Sequence, residues 1–533
     1  MTAAHVTITD GRIEGITAPD DRVRTFLGIP YAAPPVGDLR WRPPQPVAPW
    51  TGTRNAQHHG PSAPQPGVAA NSLYYGGERE FSEDCLYLNV WTGPSGGTPR
   101  PVLVWFHFGA FQFGSAANPV YDGKVLAREG ATVVGVNYRL NRLGFLAHPA
   151  LSAESDHGVS GNYGMLDQLA ALRWVRDNIE AFGGDPTRVT VMGVSAGGHS
   201  VHNLRASDLA TGLFHRAVAQ SGPGVAPVLD GPGHAASPQS LAAGEQAGTE
   251  VADLLGVRTA AQLRAVPVET LAAVMLPRSA GPWLSDSLPG LSTSMHIFDS
   301  AYPVVDGYVL RESPLTAYQS GRALDVPMIV GNAGNEGSGL PYLTNLTEFH
   351  DYVHGEYGAH ADRLLALYPA TSDADVPAAS RALEGDRVFV WSGWTAARLQ
   401  ARSGGSPVWH YNFLRQPPIS SQSDVAEKSF AGAYHGAELP YLFGTHAVWD
   451  WSWTEADYAL GRQLRAAWLA FASTGSPSTH ADNASGAPFW PEFSEHEPTT
   501  LVWDLPTPGV SDVPSRERMA AFDGFNGLVG VAS

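Results

Sequence analysis

Cysteine and basic charge are scarce in this sequence. One cysteine, Cys85, stands among 533 residues, which excludes an intrachain disulfide framework and any zinc site built from several cysteines. Charged residues make up 16%, against about 25% in an average globular protein. There are 33 Lys and Arg against 51 Asp and Glu, which gives a net charge of −18. Nucleic acids and anionic membrane surfaces require basic patches, so this balance argues against both partners.

Long hydrophobic runs are also missing. The most apolar stretch, residues 101–114 (PVLVWFHFGAFQFG), is shorter than the roughly 20 residues of a membrane span. The first residues, MTAAHVTITDGRIEG, have neither the basic start nor the apolar run of a signal peptide. We therefore expect a cytoplasmic protein without a membrane span, with export by another route as the alternative. Hydrophobic residues at 43% and aromatic residues at 10% indicate a large folded core.

Short apolar runs predict the fold class. Alternating residues around Asp10-Gly11 predict a β-hairpin, and a pattern of helical spacing predicts a helix over about 164–181, ended by the glycines of FGGDP. Strands buried on both faces of a parallel sheet read as uninterrupted apolar runs. Such runs occupy residues 102–107, 132–138, 189–194, 326–331 and 407–413. The alternation of strands and helices predicts an α/β fold.

Helical segments interrupt this pattern in two places. The Ala-rich residues 223–302 and the stretch 340–400 have helical character. We expect both to be insertions that cover the sheet and the site, within a single domain of residues 1–533.

The pentapeptide Gly193-Val194-Ser195-Ala196-Gly197 matches the pattern G-x-S-x-G. The pattern alone is weak evidence, because a chain of this length and composition is expected to contain on the order of 0.5 such matches by chance. Here it follows a buried strand and precedes small residues that can open a helix, as a nucleophile elbow requires. A buried serine in a glycine turn is the alternative.

A nucleophilic serine needs a base and a carboxylate that orients it. In folds with a nucleophile elbow, the three residues occur along the chain in the order Ser, acid, His. Here Glu336 follows a predicted strand after Ser195, and His435 lies further on in a loop of small residues. Taken singly, an exposed glutamate and a structural histidine are the alternatives. Asp306 is the second candidate for the acid, with a turn-shaping role as its alternative.

An oxyanion formed during acyl transfer needs backbone N–H donors. Ala196 follows the nucleophile, and the loop Phe108-Gly109-Ala110-Phe111 follows the first apolar run. Small residues there would let a carbonyl oxygen approach the backbone. An ordinary glycine turn is the alternative.

Several motifs resemble the type-B carboxylesterase family, which includes the cholinesterases, within the α/β-hydrolase fold. The resemblance covers nearly the whole chain. The motifs are FLGIPYA (26–32) with Pro34-Pro35, SEDCLYLNV (82–90), FGGDP (182–186) and the helix end around Phe471-Ala472 and Gly475-Ser476-Pro477. The resemblance implies a large, mostly parallel central sheet flanked by helices.

The resemblance also implies a function. It implies hydrolysis of a small-molecule carboxylic ester through an acyl-enzyme, without a metal or organic cofactor. The implied roles are Ser195 as nucleophile, Glu336 as acid, His435 as base, Gly109, Ala110 and Ala196 as oxyanion-hole amides, and Ser221 as a supporting serine.

Four departures from the family pattern bear on specificity. Phe108 replaces a usual glycine, and Val194 replaces a usual glutamate beside the nucleophile. Cys85 has no partner for the disulfide of many relatives, so we expect a free, buried thiol. Residues 71–83 contain no tryptophan, so the choline-stacking residue of cholinesterases has no counterpart. Neutral, apolar esters are therefore the expected substrates.

Other functions remain open at this stage. The same triad could cleave a carbamate, amide or lactone, or serve biosynthetic acyl transfer or elimination. Non-catalytic adhesion proteins of the family are a third class, but they have lost triad members that this chain retains. Candidate pocket residues are Trp283, Leu284, Phe389 and Trp391, with core packing as the alternative for each.

Overall fold

One large sheet runs through the part of the chain that the computed structural model describes. That part comprises residues 2–19, 22–77, 79–228, 237–273, 301–403, 405–426, 428–478, 488–512 and 515–528. The strands, labelled β1 to β15 in chain order, are Thr2–Ile8, Gly11–Thr17, Arg24–Pro30, Thr53–Asn55, Tyr87–Thr92, Arg100–Phe106, Thr132–Val136, Gly184–Val194, Arg216–Gln220, Gln239–Ser240, Val304–Val305, Met328–Ala333, Val408–Phe413, Thr499–Trp503 and Gly509–Asp512.

Helices cover both faces of this sheet. The α-helices, labelled α1 to α16 in chain order, are Lys124–Arg128, Asn141–Phe145, Pro149–Ser152, Tyr163–Asn178, Ala196–Arg205, Leu241–Leu254, Ala260–Ala265, Val268–Ala273, Pro314–Gln319, Leu346–Tyr357, Ala361–Leu367, Val376–Gly385, Trp391–Ser403, Leu439–Phe443, Glu455–Thr474 and Arg516–Phe525. Among the helices in the described ranges, none combines the length and the apolar character needed to cross a membrane.

The strand order is β1-β2-β3-β5-β7-β6-β8-β9-β12-β13-β14-β15, with β4 beside β2. All neighbours from β7 to β14 pair in parallel. The flanking pairs at both edges are antiparallel. The mostly parallel central sheet expected from the apolar runs is confirmed. Because the carboxyl ends of the parallel strands share one edge, the loops that follow them can form one site.

Strand β6 shows why these runs are apolar on successive residues. Its even-numbered residues Val102, Val104 and Phe106 join an apolar cluster with α4 residues such as Leu169. Its odd-numbered residues Leu103 and Trp105 join a second cluster with α15 residues such as Leu464. Alternate side chains of a strand point to opposite faces, so both faces of the sheet are covered.

The predicted local elements agree with the structure, with shifted ends. The hairpin is present, with Ile8 paired to Gly11. Strand β8 begins at Gly184, five residues before the predicted start, because Arg100 of β6 pairs with Gly184. Helix α4 ends at Asn178, and a 3-10 turn, Ile179–Phe182, continues to Gly183 at φ 85°. Cys85 is free and fully buried, as expected, and burial raises the pKa of its thiol.

The helical stretches expected to be insertions contain α6 to α8 and α10 to α13. The last of them, α13, packs directly on β12 and β13, so its residues belong to the layer on the sheet. Trp283 and Leu284 lie outside the described residues.

A buried ion pair ties α4 to the end of β7 and generates a stability prediction. Arg139 Nε and Nη2 donate to the two carboxylate oxygens of Asp167 at 2.8 and 2.7 Å, and both side chains are almost fully buried. Asp167→Ala leaves an uncompensated buried cation and should lower the free energy of unfolding by about 3–5 kcal/mol.

The matched control is Asp177→Ala on the same helix, which breaks a half-exposed ion pair with Arg176. It should change stability by about 0.5 kcal/mol or less. Urea-unfolding midpoints compare the two variants. Equal losses would contradict the stabilising role given to the buried pair.

Candidate active site

Ser195 occupies a sharp turn between β8 and α5. Its backbone has φ 59° and ψ −120°, a conformation that non-glycine residues rarely adopt. The Ser195 N–H donates to the Gln220 carbonyl at 2.9 Å, and its carbonyl accepts from the His199 N–H at 2.8 Å. These bonds hold Ser195 at the carboxyl edge of the sheet, where 9% of its surface is exposed.

The turn depends on backbone contacts that a side chain would block. A Cβ on Gly197 would lie 2.0 Å from the Phe106 carbonyl oxygen of β6. A Cβ on Gly193 would lie 2.6 Å from backbone atoms of both Phe106 and Gly197. Glycine at these two positions therefore lets the first turn of α5 pack against strand β6, as the pattern around Ser195 predicts.

Glu336 and His435 are in contact. Glu336 begins a 3-10 helix, Glu336–Gly339, just after β12, and its Oε2 lies 2.5 Å from His435 Nδ1. The His435 N–H donates to Ser338 Oγ at 2.9 Å, and Asn335 forms a β-bridge with Tyr434. Two loops separated by 99 residues along the chain are thus joined by backbone and side-chain contacts.

The second oxygen of Glu336 is held by three donors. Its Oε1 accepts from Ser221 Oγ at 2.6 Å, from the Ala333 N–H at 2.7 Å and from Asn332 Nδ2 at 3.1 Å. Ser221 directly follows β9, and its N–H donates to the Gly331 carbonyl of β12 at 2.8 Å. The carboxylate therefore has a fixed orientation, with Oε2 directed to His435.

The structure brings Ser195 to the same edge of the sheet as this pair, because β8, β9 and β12 are neighbours. The hydrogen bond between Ser195 and His435 is not formed, since His435 Nε2 is buried without a hydrogen-bond partner in the described part of the chain. Such bonds are often long in free enzymes and tighten when substrate binds.

The loop after β6 has an unusual backbone. Gly109, Ala110 and Phe111 have positive φ angles of 120°, 52° and 60° in succession. The N–H groups of Gly109 and Ala110 make no backbone hydrogen bond within the described ranges. Ala196, as the first residue of α5, has no intrahelical acceptor for its N–H. The three amides are therefore available as donors to a ligand.

Phe108 lies in an aromatic wall. Its ring makes edge contacts with the rings of Tyr74 and Tyr121, with centroids 5.6 and 5.5 Å apart. Val194 is fully buried in the same apolar cluster. The side chains that replace the family's glycine and glutamate are thus accommodated by apolar packing.

Two aromatic residues border His435. The ring of Phe389, on the π-helical turn Asp386–Val390, lies 4.2 Å from the His435 ring. Tyr74 Oη donates to the His435 carbonyl at 3.4 Å, a contact for which the sequence offers no local signal. Trp391, by contrast, is buried in the core, and its Nε1 donates to Asp523. Of the two alternatives for Trp391, pocket lining and core packing, the structure therefore agrees with core packing.

Two other carboxylates, Asp306 and Glu438, have different surroundings. Asp306 accepts from Asn162 Nδ2 and from the N–H groups of Tyr308 and Leu310, so it shapes a turn. Glu438 is fully buried and accepts from Gln220 Nε2 and Tyr411 Oη. Burial raises the pKa of Glu438, and the charge of Glu336 adds to the effect. Across the described ranges, no group of three or more His, Cys, Asp or Glu side chains could hold a metal ion.

Comparisons with known proteins agree on one family. A family model for the carboxylesterase family matches residues 2–522. The chain is 38% identical to a fumonisin B1 esterase of Sphingopyxis macrogoltabida over 502 residues, which covers 91% of this chain and 83% of that protein. It is 33% identical to a para-nitrobenzyl esterase of Bacillus subtilis (strain 168), and the match covers 98% of this chain and 99% of that protein.

Solved structures give the same result. A PNB esterase superposes with a TM-score of 0.78 at 30% identity, covering 98% of this chain and all of the other. A Geobacillus stearothermophilus carboxylesterase, EST55, superposes with a TM-score of 0.76 at 32% identity, and the match covers 97% of this chain and 99% of the other. The α/β-hydrolase fold implied by the sequence motifs is confirmed.

The contact between Glu336 and His435 predicts a tautomer. A carboxylate only accepts hydrogen bonds, so the neutral imidazole must carry its proton on Nδ1 and leave Nε2 as an acceptor. In Glu336→Gln, the amide oxygen takes the three donors and the amide NH₂ faces Nδ1, so the proton should move to Nε2. Nitrogen-15 NMR of labelled histidine checks this, with His435→Gln to assign the signal. An Nε2-protonated ring in the unmodified protein would contradict the prediction.

Proposed function

The chain belongs to the carboxylesterase family and is a carboxylic ester hydrolase, and from that premise we propose that it forms an acyl-enzyme on Ser195. The contact between Glu336 and His435 at the edge that carries Ser195 is the observation that supports this most. In this proposal Ser195 is the nucleophile, His435 the general base and Glu336 the residue that orients His435.

In the proposed acylation step these groups act together. Ser195 Oγ attacks the ester carbonyl carbon while its proton passes to His435 Nε2, which has no hydrogen-bond partner among the described residues. The carbonyl oxygen becomes an oxyanion, for which the N–H groups of Gly109, Ala110 and Ala196 are the proposed donors. The carbon–oxygen bond to the alcohol then breaks, and the alcohol leaves with the proton from His435.

Deacylation repeats the steps with water. His435 takes a proton from water, the resulting hydroxide adds to the acyl carbon, and the carboxylic acid leaves as Ser195 regains its proton. Glu336 stabilises the imidazolium in both halves, and Ser221 holds Glu336 in place through its hydrogen bond to Oε1. No metal or organic cofactor takes part in this scheme.

The proposed substrates are neutral, apolar esters. Val194 places an apolar, fully buried side chain beside Ser195 where a carboxylate would attract cations. Phe108, Tyr74 and Phe389 add aromatic surface close to the site. The three aromatic side chains offer apolar surface to a bound ester, and Val194 adds no charge beside Ser195.

Two broader expectations complete the proposal. We propose that residues 1–533 act as one domain, since the family match extends over residues 2–522. We also propose that the enzyme works in the cytoplasm, because its single cysteine is a free thiol, which suits a reducing compartment.

Removal of the nucleophile tests the mechanism. Ser195→Ala should lower kcat by on the order of 10⁶, and adding His435→Ala should lower it little further, because the groups act as a unit. Steady-state kinetics with p-nitrophenyl butyrate measures both. Ser200→Ala is the control, since this buried serine on α5 bonds Gln168 and the Ala196 carbonyl.

A serine-directed phosphonate followed by peptide mass spectrometry provides a second readout. The adduct should lie on Ser195 and not on Cys85. Substantial activity in clean Ser195→Ala protein, or an adduct elsewhere, would overturn the assignment.

The absence of a carboxylate at position 194 predicts a preference between two isosteric alcohols. The 3,3-dimethylbutyl ester of butyric acid should have a higher kcat/KM than butyrylcholine, which differs by a quaternary nitrogen in place of carbon. The net charge of −18 attracts cations at long range, so the assay belongs at about 0.15 M salt, where the Debye length is about 8 Å. Faster cleavage of butyrylcholine would show that the substrate class is wrong.

A further inference from the structure

Glu438 is a fully buried carboxyl group three residues after His435. It is the N-cap residue of α14, but its side chain makes no hydrogen bond to that helix. The amides at the start of α14 therefore do not compensate a charge on this carboxyl group. The proposed mechanism gives the side chain no role.

Two donors converge on one oxygen of Glu438. Gln220 Nε2 donates to Glu438 Oε1 at 3.1 Å, and Tyr411 Oη donates to the same atom at 3.2 Å. The other oxygen, Glu438 Oε2, is buried without a hydrogen-bond partner in the described ranges, and so is Gln220 Oε1. The carboxyl group and the amide are thus joined by one bond, and each keeps one unused oxygen.

The two unused oxygens indicate a missing proton donor. An ionised carboxylate and an amide oxygen only accept hydrogen bonds, so neither oxygen can serve the other while Glu438 is charged. Turning the Gln220 amide over would only bring its oxygen against Glu438 Oε1, which places two acceptors together. One proton on Glu438 supplies the donor, because buried polar atoms are stable when they are paired.

The electrostatic surroundings favour the same state. Burial and the charge of Glu336 raise the pKa of Glu438. The titratable groups around it are Glu336, His435 and Tyr411, and none of the three carries a permanent positive charge. A buried carboxylate without a cation is unfavourable, so such a group normally keeps its proton.

Gln220 connects this carboxyl group to the nucleophile. It is the fully buried last residue of β9, and its carbonyl accepts from the Ser195 N–H at 2.9 Å. Its side chain bonds Glu438, on the segment that carries His435. The bond between Gln220 and Glu438 therefore joins the strand end that holds Ser195 to the segment of the proposed base.

We propose that Glu438 works as an uncharged carboxylic acid that pairs with the Gln220 amide through two hydrogen bonds. This pair positions the turn of Ser195 relative to His435. Glu438 contacts no reacting atom in this role, so it is a positioning residue. The inference rests on the proposed function and adds a requirement to it: a second buried carboxyl group, besides Glu336, must stay protonated.

Infrared spectroscopy tests the protonation state. A protonated carboxyl group has a carbonyl stretching band that ionised carboxylates lack, and the band shifts in D₂O. At neutral pH the unmodified protein should show such a band that is missing from Glu438→Gln. Glu129→Gln is the control, because Arg465 Nε donates to both oxygens of Glu129, and this change should leave the band as it is.

Steady-state kinetics with p-nitrophenyl butyrate tests the positioning. Glu438→Met keeps the bulk and removes the bonds to Gln220, so kcat should fall about tenfold or more, since small displacements of reacting groups slow catalysis strongly. KM should change little. Glu438→Gln keeps an acceptor and a donor for the Gln220 amide and should retain most of kcat. Gln220→Met should resemble Glu438→Met, and the double variant should lose little more, because the two residues act as one pair.

Each outcome decides the question. An infrared band that persists unchanged in Glu438→Gln would show that Glu438 is ionised and would overturn the inference. Normal kcat in Glu438→Met would do the same, as would a Gln variant that is as impaired as the Met variant. If Met fails to fold, Glu438→Leu takes its place, and failure of both would mean that the pair serves folding alone. Substantial activity in Ser195→Ala would defeat the proposed function, whereas the infrared difference does not depend on Ser195.

Discussion

The backbone contacts of the turn at Ser195 set the positions of the surrounding elements. Gly197 lies against the Phe106 carbonyl of β6, and Gly198 lies against Gly222 after β9, at distances that leave no room for a Cβ. Because α5 is seated on both strands in this way, the amides after β6 and Ser221 after β9 have defined positions relative to Ser195. Ser221 in turn bonds Glu336, and Glu336 bonds His435. These two close approaches of backbones therefore order the whole site.

The parts of this arrangement with local signals could be predicted from the sequence. The runs that became β6, β8 and β12 are apolar on successive residues because helices cover both faces of the sheet. The residues just after them, including Ser195 and Glu336, lie at one edge because the strands are parallel. His435 was placed less directly, by a loop of small residues and by the resemblance to a family. Cys85 could be assigned as a free thiol by counting alone.

Contacts between distant segments could not be predicted in this way. Tyr74 and His435 are 361 residues apart, and nothing near Tyr74 indicates that contact. His199 on α5 packs against Phe111 and Gly224 from two other loops, and nothing near His199 in the sequence indicates those contacts. Strand β8 starts early because its partner β6 extends to Arg100. In each case the deciding interaction is a contact between residues that are far apart in the sequence.

The parallel sheet also has a consequence for how the enzyme acquires activity. Parallel neighbours need long crossover connections, and the groups of this site come from loops after β6, β8, β9, β12 and β13. Chains dominated by such non-local pairings fold slowly, because loop closure is unfavourable until the distant contacts form. The contact between Glu336 and His435 joins segments 99 residues apart. Individual helices and strands can form before these segments meet. During refolding, esterase activity should therefore return only when the whole chain has folded, and later than secondary structure.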